Sequence, residues 1–145
     1  RSYTLGEDEL PGVGLLDVVT VRGEGPRLIG NVAIELSPLA AADGTEPVLA
    51  GFENHGGRTQ LLAGQDALGR VLRGHGNDGR SGFEGAVRGG VIGTYMHGPL
   101  LPKNAWFADW LIARALGLDP AELAPLPDEL EDAAHASALQ AAGVI

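Results

Sequence analysis

What most limits the fold of this chain is the order of its periodic segments. Short apolar, β-branched runs fill the first two thirds, and helical periodicity begins only at Asn104. The runs "GLLDVVTVRG" (14–23) and "RLIGNVAIEL" (27–36) read as strands, and "GEGP" between them reads as a hairpin turn. "SPLAAADGTEP" (37–47) has loop composition. "VLAGFENHGGRTQLL" (48–62) predicts a strand that breaks at Gly-Gly and resumes, "LGRVLRGHG" (68–76) another, and "AVRGGVIGTYMHG" (86–98) the last. Asn104 fits an N-cap and Gly117 a C′ residue. Between them Trp106, Trp110 and Ala113, with Phe107 and Leu111 beside them, form an apolar stripe that reads as core packing. "DELEDAAHASALQAAG" (128–143) predicts a second helix with acids in its first turns, where they suit the helix dipole. His135, among its alanines, reads as a surface residue. Strands over 1–98 followed by helices over 104–116 and 128–142 depart from the strand–helix alternation of parallel α/β sheets. The order fits an α+β domain, and equally the second half of a larger α/β domain whose βα units precede Arg1.

At 145 residues, 44% apolar and 20% charged, the chain is long enough for one modest core and is not of disordered composition. No apolar run approaches the roughly 20 residues of a membrane span. The polar start "RSYTLGEDEL" is no signal peptide, and its lack of Met suggests a processed or partial product. Zero Cys excludes disulfides and thiolate metal sites and fits a reducing compartment. Of the net charge of −9, −6 falls in residues 115–145, which hold six acids and neither Lys nor Arg. Such a surface disfavours nucleic acid. It reads as a solvated helix face, or alternatively as a docking surface for a basic partner.

Four stretches could carry chemistry. "GHGNDG" (74–79) spells G-x-G-x-x-G, but no helix follows it, so a dinucleotide site is not expected. His55, His75, His97 and His135 show no compact metal-ligand spacing; Glu53 and His55, two apart, share one strand face and could join His75 or His97 in a His/carboxylate site. In "GFENHGGRT" (51–59), Glu53, Asn54, His55, Arg58 and Thr59 crowd around two glycines, as an ornate turn or as a platform for a ligand. His97 lies at the carboxyl end of a predicted strand, where open α/β sheets place ligands. A histidine base needs a nucleophile within reach, and Ser2, Ser37, Ser81 and Ser137 all lack the G-x-S-x-G elbow.

"GFENHGGRT" together with "VLRGHGNDGRSGFEGAVRGGVIGTYMHGPLLPKN" resembles the class I, cobyric-acid-synthase-like glutamine amidotransferases. Within that family the likeness is greatest to the small amidotransferase subunits of lipid II isoglutaminyl synthases, and it covers roughly Gly12 to Leu116. The resemblance implies an α/β fold of which this chain is the C-terminal portion: residues 1–117 belong to the amidotransferase domain, and 118–145 form an acidic linker and helix. It also implies a mechanism. A Cys on a strand-turn-helix elbow attacks the side-chain amide of glutamine, while a His activates the thiol and protonates the departing ammonia. His97 matches that His. Arg27 is the candidate for holding the glutamine α-carboxylate, since a guanidinium fork suits it, and Arg58 is the alternative. Glu53, Asn54 and His55 would line or buttress the pocket. The ammonia would pass to a Mur-ligase-like, ATP-consuming partner subunit that activates the stem-peptide glutamate of lipid II in the cytoplasm. No metal or other cofactor is implied for the amidotransferase itself.

Two positions depart from the family pattern. The acid found two residues after the His in many class I members is Pro99 here, so another group must orient His97. The nucleophilic Cys is absent, and the pattern would put it about a dozen residues or fewer before Arg1. As it stands, the chain should not hydrolyse glutamine, and a parallel sheet cut in this way should expose a strand edge, with association or poor stability as the result. The alternatives are a cobyric acid synthase-type amidotransferase, a cysteine-free binding module docking through its acidic tail, and a metal hydrolase using Glu53, His55 and His97.

Overall fold

The computed structural model of the protein describes residues 1–37 and 48–145; the segment read as a loop at 37–47 lies almost wholly outside the described residues. Strands come first: β1 Ser2–Leu5, β2 Asp8–Pro11, β3 Val18–Arg22, β4 Leu28–Leu36, β5 Val48–His55, β6 Gly57–Leu61, β7 Gly69–Arg73, β8 Phe83–Glu84, β9 Ala86–Arg88, β10 Val91–Gly93 and β11 Met96–His97. Two helices follow, α1 Ala105–Leu116 and α2 Glu129–Ala142. This is a mixed α/β fold with its helices at the C-terminal end. No helix among the described residues is long and apolar enough to cross a membrane.

One sheet has the order β11-β5-β4-β7-β8 with every pair antiparallel, a second has the order β2-β1-β3-β6, and β9 and β10 form a two-stranded third. The second contains a parallel pair, β1 with β3. The expected hairpin at "GEGP" is therefore corrected. β3 pairs with β1 and β6, whereas β4 pairs with β5 and β7, so residues 23–27 carry the chain from one sheet to the other. Gly56 makes the same crossing in the opposite direction, and the Gly23 N–H donates to its carbonyl at 2.8 Å. The result is one long bent ribbon, β3–β4 against β5–β6, with the pairs Arg22↔Gly57 and Leu28↔His55 flanking the kink. Turn chemistry identified the bend, but its strand partners are non-local.

The expected single strand over 86–98 is likewise three. Gly89 (φ +55°) and Gly90 reverse the chain between β9 and β10, and β11 follows as a two-residue edge strand. His97 thus ends a strand antiparallel to β5, not a strand of a parallel sheet.

Period-2 alternation sets the layers. Val32, Ile34 and Leu36 of β4 meet Leu49, Leu68 and Met96 on one face, under Phe107 and Trp110 of α1. On the other face Ala33 and Ala50 leave room for α2, which packs Leu139, Ala138 and Ala142 there. The close approach is fixed by Asn31 Nδ2 donating to the Ala141 carbonyl (3.1 Å) and Arg73 Nε to that of Gly143 (3.2 Å). The acid-rich C-terminal segment thus lays its second helix on the sheet.

Asn104 opens α1 as expected, but its side chain does not cap the helix. Its carboxamide donates to Ala50 O (2.9 Å) and Leu100 O (2.7 Å) and accepts from Ala50 N (2.9 Å). His135 is buried, with Nδ1 2.8 Å from Lys103 O and 3.1 Å from Asn104 Oδ1, which corrects its reading as a surface residue. Ala138 and Ala142, further along the helix, lie on the face that approaches the sheet, while Ala133 and Ala136 are exposed.

The "GHGNDG" glycines serve the turn after β7. Gly76 has φ +66°, and a Cβ there would collide with the Phe83 carbonyl and stand 2.6 Å from Val71 Cγ2. Gly76→Ala is expected to lower the unfolding free energy by about 2 kcal/mol or more, measured by urea denaturation.

Candidate active site

β5 ends with its side chains divided between two environments. Asn54 is exposed, while its neighbours Glu53 and His55 point the other way and are buried. Arg27, at the exit of the sheet crossing, reaches Asn54 with two prongs: Nε donates to Oδ1 (2.7 Å) and Nη2 to the backbone carbonyl (2.7 Å). His97 approaches the same carbonyl, with Nε2 3.3 Å from Asn54 O. A carbonyl only accepts, so this contact requires the proton on Nε2 and leaves the Nδ1 lone pair free to take one up. Arg27 and His97, 70 positions apart in sequence, therefore meet over one backbone oxygen on an exposed rim.

Beside this rim a polar cleft of about 400 Å³ is lined by Tyr3, Arg22, Gly23, Gly25, Arg27, Gly56 and Gly57. Two guanidinium groups and little apolar wall suit a small anionic ligand. A larger cleft of about 670 Å³, near Thr59, Asp66, Asp78 and Phe83, includes neither His97 nor Arg27.

The structure separates the two arginines singled out in the sequence. Arg58 Nη1 donates to Gly56 O (3.2 Å) and Gly57 O (3.1 Å), and Nη2 to Pro26 O (2.9 Å). Its guanidinium thus ties the two sheet crossings together. A Cβ on Gly23 would lie 2.6 Å from Arg58 Cζ, so a glycine is needed for that approach. Arg27 keeps an exposed guanidinium beside the cleft.

Glu53 and His55 stand behind the rim. The Glu53 carboxylate accepts from the backbone N–H groups of His75 (2.6 Å) and Gly76 (3.0 Å). The glycine-rich loop therefore cradles an anion, but the anion is its own chain's carboxylate. His55 stacks on Tyr95 with ring centroids 3.7 Å apart and planes 4° from parallel, and its Nδ1 lies 2.9 Å from Gly57 O. Burial lowers its pKa, outweighing the opposite pull of the Gly57 carbonyl and of Glu53. Among the described residues no three His, Asp or Glu side chains converge to hold a metal ion, so Glu53, His55 and His97 do not form the metal set considered from the sequence.

Sequence reasoning missed the polar groups beneath the site. Glu84 is fully buried; its carboxylate accepts from Tyr95 N (2.7 Å) and from Thr94 Oγ1 (2.9 Å to Oε2). Burial pushes its pKa up to about 7 against the opposing pull of those hydrogen bonds. Asn77, also buried, exchanges two hydrogen bonds with the backbone of Gly85 (2.8 and 3.0 Å). Neither residue sits in a periodic pattern, so nothing local marks them as interior. Tyr95, next to the quoted histidine motif, was the available signal.

Comparison with known proteins identifies the family. A family model for the CobB/CobQ-like glutamine amidotransferase domain matches residues 3–105. The chain is 41% identical over 107 residues to the lipid II isoglutaminyl synthase (glutamine-hydrolyzing) subunit GatD of Staphylococcus aureus strain N315, covering 74% of this chain and 40% of that protein. The same subunit of Streptococcus pneumoniae strain R6 is 36% identical over 107 residues, covering 74% and 39%. A cobyric acid synthase of Pelotomaculum thermopropionicum is 45% identical over 96 residues, covering 63% and 18%. The chain spans about 40% of the length of the two isoglutaminyl synthase subunits. With the family model matched along most of its length, this chain belongs to the CobB/CobQ-like glutamine amidotransferase domain family.

Proposed function

We propose that the chain carries the histidine side of a glutamine-hydrolysing site that supplies ammonia for amidation of the stem-peptide glutamate of lipid II. The convergence of Arg27 and His97 on the Asn54 carbonyl carries this reading. His97 takes the proton of a cysteine thiol, and the thiolate attacks the glutamine side-chain carbonyl. The proton then leaves with ammonia, and water hydrolyses the thioester. Arg27 holds the substrate α-carboxylate. The Asn54 carbonyl orients the imidazole where Pro99 replaces the usual acid. The chain itself contains no cysteine, so the thiol must come from outside these residues.

Residues 1–117 act as the amidotransferase part and 118–145 as its acidic C-terminal segment. The ammonia passes, in the cytoplasm, to a Mur-ligase-like, ATP-consuming partner subunit. The greater share of the isoglutaminyl synthase subunits covered favours this pathway over the cobyric acid synthase type, which the 45% identity to one such enzyme keeps as the second reading.

Calorimetric titration with L-glutamine tests the site. Arg27→Ala should weaken binding about 10- to 100-fold, as expected on losing a charged hydrogen-bonding partner. Arg58→Ala should mainly lower stability. Equal glutamine affinity in wild type and Arg27→Ala, or no binding at all, would overturn the assignment. The chain alone should release no ammonia from glutamine.

A further inference from the structure

His97 is held on one side by little. Its strand β11 is two residues long, pairs only with β5 and is followed by the Gly98-Pro99 turn. On the other side the chain is gripped tightly. Glu84 accepts from both Thr94 Oγ1 and Tyr95 N, and Thr94 Oγ1 accepts in turn from Met96 N at 3.0 Å. One carboxyl thus organises three consecutive residues that lead into His97. The Tyr95 ring is fixed by its stack on His55, and its hydroxyl lies 2.8 Å from Thr59 Oγ1, which is 2.7 Å from Thr20 Oγ1.

Glu84 belongs to β8, at the opposite edge of the five-stranded sheet from β11. Its contact with Thr94 and Tyr95 therefore joins the two edges of the curled sheet. The close approach depends on Gly85, whose Cβ would lie 2.7 Å from Gly93 O. A buried carboxyl is expensive to keep, and packing alone could have been served by an apolar side chain. It does something an apolar residue could not: it accepts the Tyr95 N–H and the Thr94 hydroxyl.

We infer that Glu84 is a positioning residue for His97, aiming the imidazole at the Asn54 carbonyl by fixing Thr94, Tyr95 and Met96. This rests on the reading of His97 as the base, but its test does not depend on catalysis. The Glu84 carboxyl touches neither the rim nor the cleft, and acts only through the strand it holds.

The experiment is NMR on the 145-residue chain, following the His97 backbone amide and ring nitrogens in wild type, Glu84→Gln, Glu84→Ala and Thr94→Val. Gln retains an acceptor for the Tyr95 N–H and offers its NH₂ to Thr94 Oγ1. Glu84→Gln should therefore keep the His97 amide near the rigid-backbone order parameter of about 0.85. Glu84→Ala and Thr94→Val should drop it toward about 0.6 or below and move the ring nitrogens to the averaged tautomers of free imidazole. The His135 ring, whose Nδ1 lies against Lys103 O and Asn104 Oδ1 and makes no contact with Glu84 or Thr94 among these bonds, should stay where it is.

An unchanged His97 in folded Glu84→Ala or Thr94→Val overturns the inference. So does a parallel change at His97 and His135, which would mean general loosening. If Glu84→Ala does not fold, Thr94→Val decides alone, since it leaves the carboxyl and the Tyr95 N–H bond in place. Adding glutamine to the same samples separates the two claims: no response at Arg27 or His97 counts against the amidotransferase reading and leaves the positioning result standing.

Discussion

Asn104→Ala should lower the unfolding free energy by about 3 kcal/mol or more, seen as a lower urea midpoint with an unchanged slope. The Asn104 carboxamide meets the Ala50 N–H and C=O together, and Ala50 is fully buried. Removing it leaves a donor and an acceptor without partners, at about 1–3 kcal/mol each, and also frees the Leu100 carbonyl. A serine separates this role from helix capping. Ser is as good an N-cap as Asn but cannot make the two-point contact with Ala50. Asn104→Ser should therefore be nearly as damaging as Asn104→Ala. A stability close to wild type in Asn104→Ser would show that the residue acts as a cap after all.

Glu84→Gln should stabilise the protein at pH 8 by up to about 3 kcal/mol and leave it little changed near pH 4. The carboxyl has an ordinary value of 4.5 and is raised to about 7 in the fold, chiefly by burial. Between those pH values the unfolded chain has released the proton and the folded chain still holds it. Stability therefore falls as pH rises through this window and is level above it, at about 1.4 kcal/mol for each unit of the difference. Glutamine has no proton to lose, so the gap between variant and wild type opens from about pH 4.5 and is complete above about pH 7. His55 works in the opposite direction. Its pKa is lowered by burial, so the unfolded chain binds its proton first as pH falls below 6.5, and stability is lost on the acid side. Both proteins share that loss, and it cancels in the comparison. Urea titrations at half-unit steps from pH 4 to 8 measure the gap directly, and a difference independent of pH would refute the buried-carboxyl account.

The parts of the fold legible in the sequence are those set by local period. The alternation that puts Val32, Ile34 and Leu36 on one face of β4 could be read directly, and so could the stripe of Trp106, Trp110 and Ala113 on α1, although Phe107 is buried more deeply than Trp106. Pairing could not, because β3 and β4 are neighbours in sequence yet lie in different sheets. The Gly89-Gly90 reversal was a legible turn signal hidden inside an apolar run. His97 was singled out by its place at a strand end, and both it and Arg27 by the motif resemblance, but their meeting point was not, since it is a backbone carbonyl with no letter of its own. Glu53 and Asn54 are adjacent letters that the strand sends to opposite faces, so one holds a loop and the other forms the rim. Arg58 is a charged side chain whose donors are taken up by the main chain, a use that composition does not reveal.

The two-point grip on Ala50 also bears on how copies of the chain meet one another. The second N–H of the carboxamide is taken by the Leu100 carbonyl and a side chain presents no further row, so beyond β11 the flank of β5 ends in a stopper where another strand could have been added. The main chain of Asn77 fills a similar place elsewhere: its backbone carbonyl takes the Thr59 N–H of β6, and its backbone N–H goes to Phe83 O of β8. A further flank, β2, carries Asp8 and Glu9, whose charges repel another copy, and Pro11, which has no N–H to offer a further strand. The open strand edge expected of a cut sheet is therefore stopped or charged at these flanks among the described residues.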